Sequence, residues 1–458
     1  MKPHWPGIAL EPTTEEWSSL ADEIQSFLKD QLTALDASPV TGMEENVAKL
    51  PAVPTLEEWL IDVFASGFNA AHPGFMAYIP GGGLVTSALA EWIIKTMNPY
   101  GTAYFAAPKL AEIEYQVIQT FAKWVGYDET AAGVITTGGS LANFTALVTA
   151  RRKMLPENFL SGILYCSDQA HHSIMKAANL AGFSKRNLRI LESDSNFKIQ
   201  PEVLLQQIEA DRREGLQPFM VVASAGTTNT GSIDPLPELA EICAQQSMWF
   251  HVDAAYGGSF VLTARGRARL AGMEQADSIT LDPHKGLFLP YGTGSVLVKD
   301  RAALIEAHEM RGDYMPELDR TRAHLDPFSL SVELSREHRG LKIWLPLLLH
   351  GEEAFQIALD EKLDLAEYLE EQLQQIPQLE LLNKPELSTV AFRLADESDA
   401  RNKALLEEIN KSKSVYISGT VLRGKYALRV SILSHRTHKK HIDELLAALT
   451  HALPTVDR

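Results

Sequence analysis

The chain has only two cysteines, Cys166 and Cys243, among 458 residues. Two thiols cannot build a disulfide framework or a four-thiolate metal centre, and such sparse use suggests a reducing compartment. Long apolar stretches are also missing. The longest run, Ile343–Leu349, is interrupted by Pro346 and falls well short of the roughly 20 residues that cross a bilayer. The opening MKPHWPGIALEPTTEEW has no continuous apolar core, so a secretory signal is not expected. Positive charge is scarce too: 42 Lys and Arg against 59 Asp and Glu give a formal net charge of −17. A surface built to contact a phosphate backbone wants the opposite sign, which argues against a nucleic-acid partner. A composition of 45% hydrophobic and 22% charged residues does not suit a disordered chain. A cytoplasmic globular protein, with no membrane or nucleic-acid partner, is expected.

Three regions are legible. Residues 1–85 form a helical segment in which Trp17, Leu20, Ile24, Phe27, Leu28, Leu32 and Leu35 recur near helical spacing. In residues 86–350 short apolar runs (Gly133–Thr136, Ile163–Ser167, Phe219–Ala223, Trp249–Val252, Ser278–Leu281, Ser295–Val298) alternate with helical stretches (Leu141–Lys153, Ile174–Leu180, Pro201–Arg213, Leu236–Gln246). This alternation predicts an α/β fold with a large, mostly parallel sheet between helices, whose ligand crevice lies outside the carboxyl ends of the strands. The polar stretch Arg311–Arg339 reads as a long loop of the kind that forms lids. Residues 351–458, with a candidate strand at Ser388–Leu394, are expected to form a small C-terminal α/β domain.

The chemistry-bearing residues cluster at those strand ends. Lys285, in Asp282-Pro283-His284-Lys285-Gly286, follows an apolar strand. A lysine in a partly apolar pocket can form a Schiff base with an aldehyde, although a lone lysine is usually just exposed. Asp253 ends another strand and precedes Ala254 and Ala255. Its carboxylate suits a cationic ring nitrogen, and the small residues let a flat ring approach, but an Asp here also suits a simple cap. Thr136-Thr137-Gly138-Gly139-Ser140-Leu141-Ala142-Asn143 leads from strand to glycine turn to helix start, where free N–H groups attract phosphate. It matches neither the dinucleotide fingerprint nor the P-loop. Ser167-Asp168-Gln169-Ala170-His171-His172-Ser173 offers an imidazole to stack on a ring or donate a proton. Adjacent histidines point apart on a regular helix or strand and the spacing fits no metal motif, so no metal site is expected. Gly226-Thr227-Thr228 follows a further strand and supplies hydroxyls. Each motif alone is an ordinary turn. Together they assemble an amine, a carboxylate, an imidazole and an anion site, the set that pyridoxal 5'-phosphate requires.

From about His72 to Leu446 the chain resembles the group II pyridoxal-phosphate-dependent amino-acid decarboxylases, the aromatic-L-amino-acid decarboxylase family. SDQAH (167–171), HVDAAYGG (251–258) and DPHKG (282–286) carry the resemblance most specifically, with HPGFMAYIP (72–80), LKIW (341–344) and LRGKYALRVSI (422–432) beside them. It implies a homodimer of fold-type-I, aspartate-aminotransferase-like subunits. It also implies Lys285 as the Schiff-base lysine, Asp253 as partner of the ring nitrogen, and Ala255 and His171 on opposite ring faces. Gly139, Ser140 and His284 match phosphate-side positions and Thr228 a position beside the ring. Tyr314 corresponds to a tyrosine thought to protonate the substrate carbon, often across the dimer interface, so the catalytic set is Lys285, His171, Asp253 and Tyr314. Animal aromatic decarboxylases have Asn where Asp282 stands, and an acid beside a phosphate is unfavourable unless it points away.

The expected reaction is decarboxylation of an L-amino acid, aromatic if Tyr78, Pro80 and Tyr104 line an apolar pocket. An aminotransferase, a carbon–carbon lyase or a decarboxylation-dependent aldehyde synthase would use the same lysine–aspartate pair. An acidic substrate would want an arginine such as Arg423 or Arg429. A non-catalytic cofactor-binding dimer would not need lysine, aspartate and histidine together.

Overall fold

The computed structural model describes residues 12–42, 55–309, 326–395 and 398–456. The N-terminal helices are α1 (Thr14–Ala34), α2 (Leu56–Phe64), α3 (Val85–Met97) and α4 (Pro108–Trp124). Thr13 opens α1 with a reciprocal capping box to Glu16, and Thr55 caps α2 through the Glu58 N–H, so each start satisfies donors a bare helix end would leave open.

The large sheet contains β1 (Ala132–Thr136), β2 (Gly162–Ser167), β3 (Leu188–Leu191), β4 (Gln217–Ser224), β5 (Trp249–Asp253), β6 (Ser278–Leu281) and β7 (Gly294–Val298). Their order is β1-β7-β6-β5-β4-β2-β3. The β2–β3, β2–β4, β4–β5 and β5–β6 pairs are parallel, whereas β7 runs antiparallel to both β1 and β6. Around the sheet lie α5 (Gly139–Met154), α6 (His172–Leu180), α7 (Pro201–Arg213), α8 (Leu236–Gln246), α9 (Ala264–Arg269), the single turn α10 (Pro283–Gly286) and α11 (Arg301–His308). Both sheet faces are covered, and the apolar runs are therefore continuous rather than alternating. Val221 and Ala223 of β4 face one core with Phe250 and Val252, while Met220 and Val222 face the other with Trp249.

Then α12 (Leu341–Gln374) crosses to the second unit, interrupted at Gly351, whose φ of 73° no helix accommodates. Strands β8 (Leu379–Leu381), β9 (Thr389–Leu394), β10 (Ser418–Leu422) and β11 (Lys425–Ser431) make an antiparallel sheet in the order β10-β11-β9-β8. It packs on α12, α13 (Asp399–Asn410) and α14 (Lys439–Val456) through Leu369, Phe392, Leu405, Val430 and Leu449. The Gly226–Gly231 loop ties this sheet to the large one: Thr420 Oγ1 donates to Asn229 at 2.8 Å, and Asn383 Nδ2 to the Thr230 carbonyl at 2.6 Å.

One expectation needs correction. Part of the stretch expected to be a lid-forming loop is core: Arg336, His338 and Arg339 are buried. Burial pushes Glu114 up, but Arg336 and His338 outweigh it and hold the carboxyl at about 2. These charged residues are ion-paired rather than solvated. The strand Leu188–Leu191 escaped notice because this sheet-edge strand is short and only Leu191 is buried. Among the described residues no helix is long and apolar enough to cross a membrane.

Candidate active site

Because β7 alone is reversed, the carboxyl ends of β1, β2, β4, β5 and β6 and the start of β7 share one edge of the sheet. A cavity of about 350 Å³ lies there, lined by Gly139, Ser140, His171, Thr228, Asp253, Ala255, His284 and Lys285, together with Asn143 and Asp282. All the residues read as cofactor-binding thus meet in one place.

Lys285 sits in α10 with its Nζ 3.0 Å from Asp282 Oδ2. Asp253 ends β5; its Oδ1 accepts from the Ala255 N–H at 3.2 Å and its Oδ2 from Asn143 Nδ2 at 2.8 Å. Asn143 is the residue that the sequence reading quoted but did not single out. Its other N–H donates to Ser173 Oγ at 2.9 Å, and its carbonyl accepts from Thr280 Oγ1 at 2.6 Å and faces His251 Nε2 at 3.1 Å. Since that amide oxygen can only accept, His251 carries its proton on Nε2. Its Nδ1 then accepts from Ser278 Oγ, 2.8 Å away, which itself accepts from Trp249 Nε1 at 2.8 Å. Burial holds the His251 pKa at about 4, so the ring stays neutral. Trp249, Ser278, His251 and Asn143 all donate in one direction, toward Asp253. A chain so polarised holds negative charge at its end. Its signal was spacing: Asn143 lies four residues after Gly139, on the same face of α5.

His171 caps α6. Its Nδ1 receives the Ser173 N–H at 3.3 Å and lies 2.8 Å from Ser173 Oγ, which donates to it because that oxygen already accepts from Asn143. The neutral ring therefore keeps its proton on Nε2, and burial lowers its pKa. The expectation that His171 and His172 point apart fails: their ring centroids are 4.1 Å apart. His171 is extended (φ −60°, ψ 137°) where His172 is helical, so neither periodicity applies across the pair.

No side chain caps α5, which leaves its first N–H groups for a ligand. The wall there is shaped by absence of bulk. A Cβ on Gly139 would lie 2.8 Å from Asp282 Oδ2 and 3.2 Å from Ala255 Cβ. On the adjoining loop Gly226 holds φ at +99°, and a Cβ there would strike Leu387 and Tyr256. His284 donates from Nδ1 to the Thr293 carbonyl, and burial lowers its pKa. The Thr228 carbonyl accepts from Arg429, a buried guanidinium whose pKa desolvation lowers to about 10. Tyr78, Pro80 and Tyr104 do not line the cavity. Tyr78 is exposed, at φ +54°, and its N–H reaches Ser418 Oγ, which Arg429 also contacts. Tyr104 is held from its N–H by Asp326 at 2.5 Å. Tyr314 lies outside the described residues.

Residues 53–395 match the family model described as the pyridoxal-dependent decarboxylase conserved domain. The chain belongs to the pyridoxal-dependent decarboxylase family. The decarboxylase is 31% identical over 457 residues to the aromatic-L-amino-acid decarboxylase of Bacillus atrophaeus, covering 95% of each chain. It is 32% identical to the phenylacetaldehyde synthase of Arabidopsis thaliana, over 85% of this chain and 84% of that one. Its fold matches Catharanthus roseus tryptophan decarboxylase in complex with L-tryptophan with a TM-score of 0.89 at 26% identity, covering 98% of this chain and 100% of the other. It is a carboxy-lyase of the fold-type-I class, and its cofactor is pyridoxal phosphate. The cavity fits that group: a wired carboxylate, a primary amine, a neutral imidazole and an uncapped helix start share it, and a glycine keeps it open.

Proposed function

We propose that the chain decarboxylates an aromatic L-amino acid to the amine and carbon dioxide, with Lys285, Asp253, His171 and Tyr314 as the catalytic set. The observation that carries the reading is the convergence of Lys285 and the donor-wired Asp253 on one cavity at the uncapped start of α5. When bound, pyridoxal phosphate supplies an aldehyde that captures amines and a protonated ring that withdraws electrons from the substrate α-carbon. Lys285 would hold that aldehyde. Asp253 keeps a proton on the ring nitrogen, since opposite charge favours the charged form. Ala255 would leave one ring face clear, and His171 would cover the other with a ring bearing its proton on Nε2. The N–H groups of Gly139 and Ser140 would hold the phosphate, with His284 beside it, and Thr228 would border the ring. Tyr314 delivers the proton that replaces the lost carboxylate.

The aromatic assignment draws on the relatives, whose names include aromatic-L-amino-acid, tryptophan and tyrosine decarboxylases. Tyr78, Pro80 and Tyr104 then belong to a substrate wall completed outside the single-chain cavity. An assay of carbon dioxide release across the common L-amino acids tests the assignment. Stoichiometric amine from tryptophan, tyrosine or phenylalanine supports it; release confined to glutamate or aspartate overturns it. The similarity to a phenylacetaldehyde synthase favours one second reading, decarboxylation with oxidation, and aldehyde plus ammonia in place of amine would mark it.

The functional unit in this reading is a cytoplasmic homodimer. Leu89, Trp92, Ile93 and Met97 on α3 are exposed together, and such a patch suits a second copy. The chain divides at about residues 85 and 350 into helical dimerisation segment, cofactor domain and small domain.

A further inference from the structure

The environment of Asp282 is unusual for a carboxylate. It is 1% exposed. It is wedged between two glycines: a Cβ on Gly139 would lie 2.8 Å from Oδ2, and one on Gly294 would lie 2.7 Å from Oδ1. It therefore sits against the first residue of α5, where the helix favours an anion. Its charge is balanced by Lys285 Nζ at 3.0 Å from Oδ2; His284 Nε2 lies 3.6 Å away on a ring whose Nδ1 donates to Thr293. Oδ1 has no hydrogen-bond partner among the described residues. The other ionisable groups on the cavity are His171 at the start of α6, Asp253 at the end of β5 and Tyr256 three residues later. α5 and β7 meet the carboxylate with glycines.

Loading the cofactor changes this balance. On the reading proposed above, Lys285 engages the aldehyde of pyridoxal and of pyridoxal phosphate alike, so what distinguishes the two is the phosphate. The phosphate docks on the same helix start that Asp282 already occupies as an anion. Burial disfavours the charged form of His284, and its Nδ1 is already committed to the Thr293 carbonyl, so it cannot compensate both charges. We propose that Asp282 takes up a proton from solvent when the phosphate docks, and that its protonated Oδ1 then donates a hydrogen bond within the anion site. Asp282 is on this account a positioning residue that ties cofactor loading to pH. Affinity for pyridoxal phosphate falls as pH rises, because the proton that loading requires becomes harder to obtain. The inference rests on the cofactor reading but makes a separate claim.

Calorimetric titration of the apoprotein in buffers of different ionisation enthalpy counts the protons taken up. The wild type binding pyridoxal phosphate at pH 7.5 is expected to take up close to one proton more than Asp282→Asn does. With pyridoxal, which has no phosphate, the two proteins should take up equal numbers. In equilibrium titrations the variant is expected to bind pyridoxal phosphate at least tenfold tighter than the wild type at pH 8, with the gap closing toward pH 5.5. Equal proton counts for both proteins, or a gap that persists unchanged with pyridoxal, overturn the proposal. The wild type alone provides a check free of any folding defect: its uptake with pyridoxal phosphate must exceed that with pyridoxal beyond the phosphate's own protonation. Borohydride reduction of both loaded proteins, followed by peptide mapping, separates the two levels. An adduct on the Lys285 peptide with equal proton counts rejects Asp282 alone; no adduct there rejects the cofactor reading beneath it.

Discussion

Replacing Asn143 by alanine probes the least obvious part of the site. Asn143 uses all its hydrogen-bonding capacity: Asp253 at 2.8 Å, Ser173 at 2.9 Å, Thr280 at 2.6 Å and His251 at 3.1 Å. A bond to a charged group contributes about 1.5–3 kcal/mol and a neutral one about 1 kcal/mol. The four share one network and do not add, so Asn143→Ala is expected to cost about 3–4 kcal/mol of stability. The chemical cost is narrower. Asp253 loses the donor that orients Oδ2 and the only link to the His251 chain that this structure gives it. If the charged bond alone is felt in the transition state, about 1.5–3 kcal/mol becomes roughly a 10- to 150-fold loss of rate. The loss should fall on kcat, with KM within threefold, because Asn143, though it lines the cavity, acts through the hydrogen bond that orients Asp253. Steady-state kinetics on cofactor-saturated enzyme below its unfolding temperature reads both numbers. A variant that keeps kcat within threefold while its stability falls would show that the chain from Trp249 to Asn143 is structural support only.

Three further outcomes follow from the geometry. Gly139→Ala puts a Cβ 2.8 Å from Asp282 Oδ2; overpacking of about 1–2 kcal/mol should raise the dissociation constant of pyridoxal phosphate roughly tenfold, read by absorbance titration, and an unchanged constant would mean the wall yields freely. His171 must be neutral to act as described, and its folded pKa lies below the ordinary 6.5, so the acid limb of kcat/KM for this group should fall below pH 6.5; activity that instead declines as pH rises through that range would assign the imidazolium. Glu114 is held at about 2 rather than 4.5. A depressed carboxylate stabilises the fold above its unfolded pKa and releases that stability as pH falls from 4.5 toward 2, here about 3 kcal/mol in all. Denaturation of Glu114→Gln and wild type at pH 6 and pH 3 should show the difference between them narrowing at the lower pH, and a constant difference would remove Glu114 as the titrating group.

Much of this molecule was legible as pattern. The β4–α8–β5–β6 stretch has apolar runs long enough and breaks sharp enough that the helix Leu236–Gln246 and the strand Ser278–Leu281 have the same bounds in sequence and structure. The site residues were legible as strand-end polar residues, because a parallel sheet gathers such ends at one edge. What stayed hidden depends on contacts between distant segments. The reversal of β7 is not written in its own residues, yet it brings Gly294 against Asp282. Arg336 and His338 look solvated until Glu114, more than 200 positions earlier, comes to lie beside them. Asn143 looked like one more polar residue of a helix start until β5 and β6 supplied its partners. His171 and His172 were misjudged because the helix begins between them.

The central claim is that Lys285 carries the cofactor. Sodium borohydride treatment of the pyridoxal-phosphate-loaded protein, followed by proteolysis and mass spectrometry, tests it most directly. The expected result is a single phosphopyridoxyl adduct on the peptide containing Lys285, lost in Lys285→Ala. An adduct confined to another lysine, or undiminished in that variant, would contradict the account at its root.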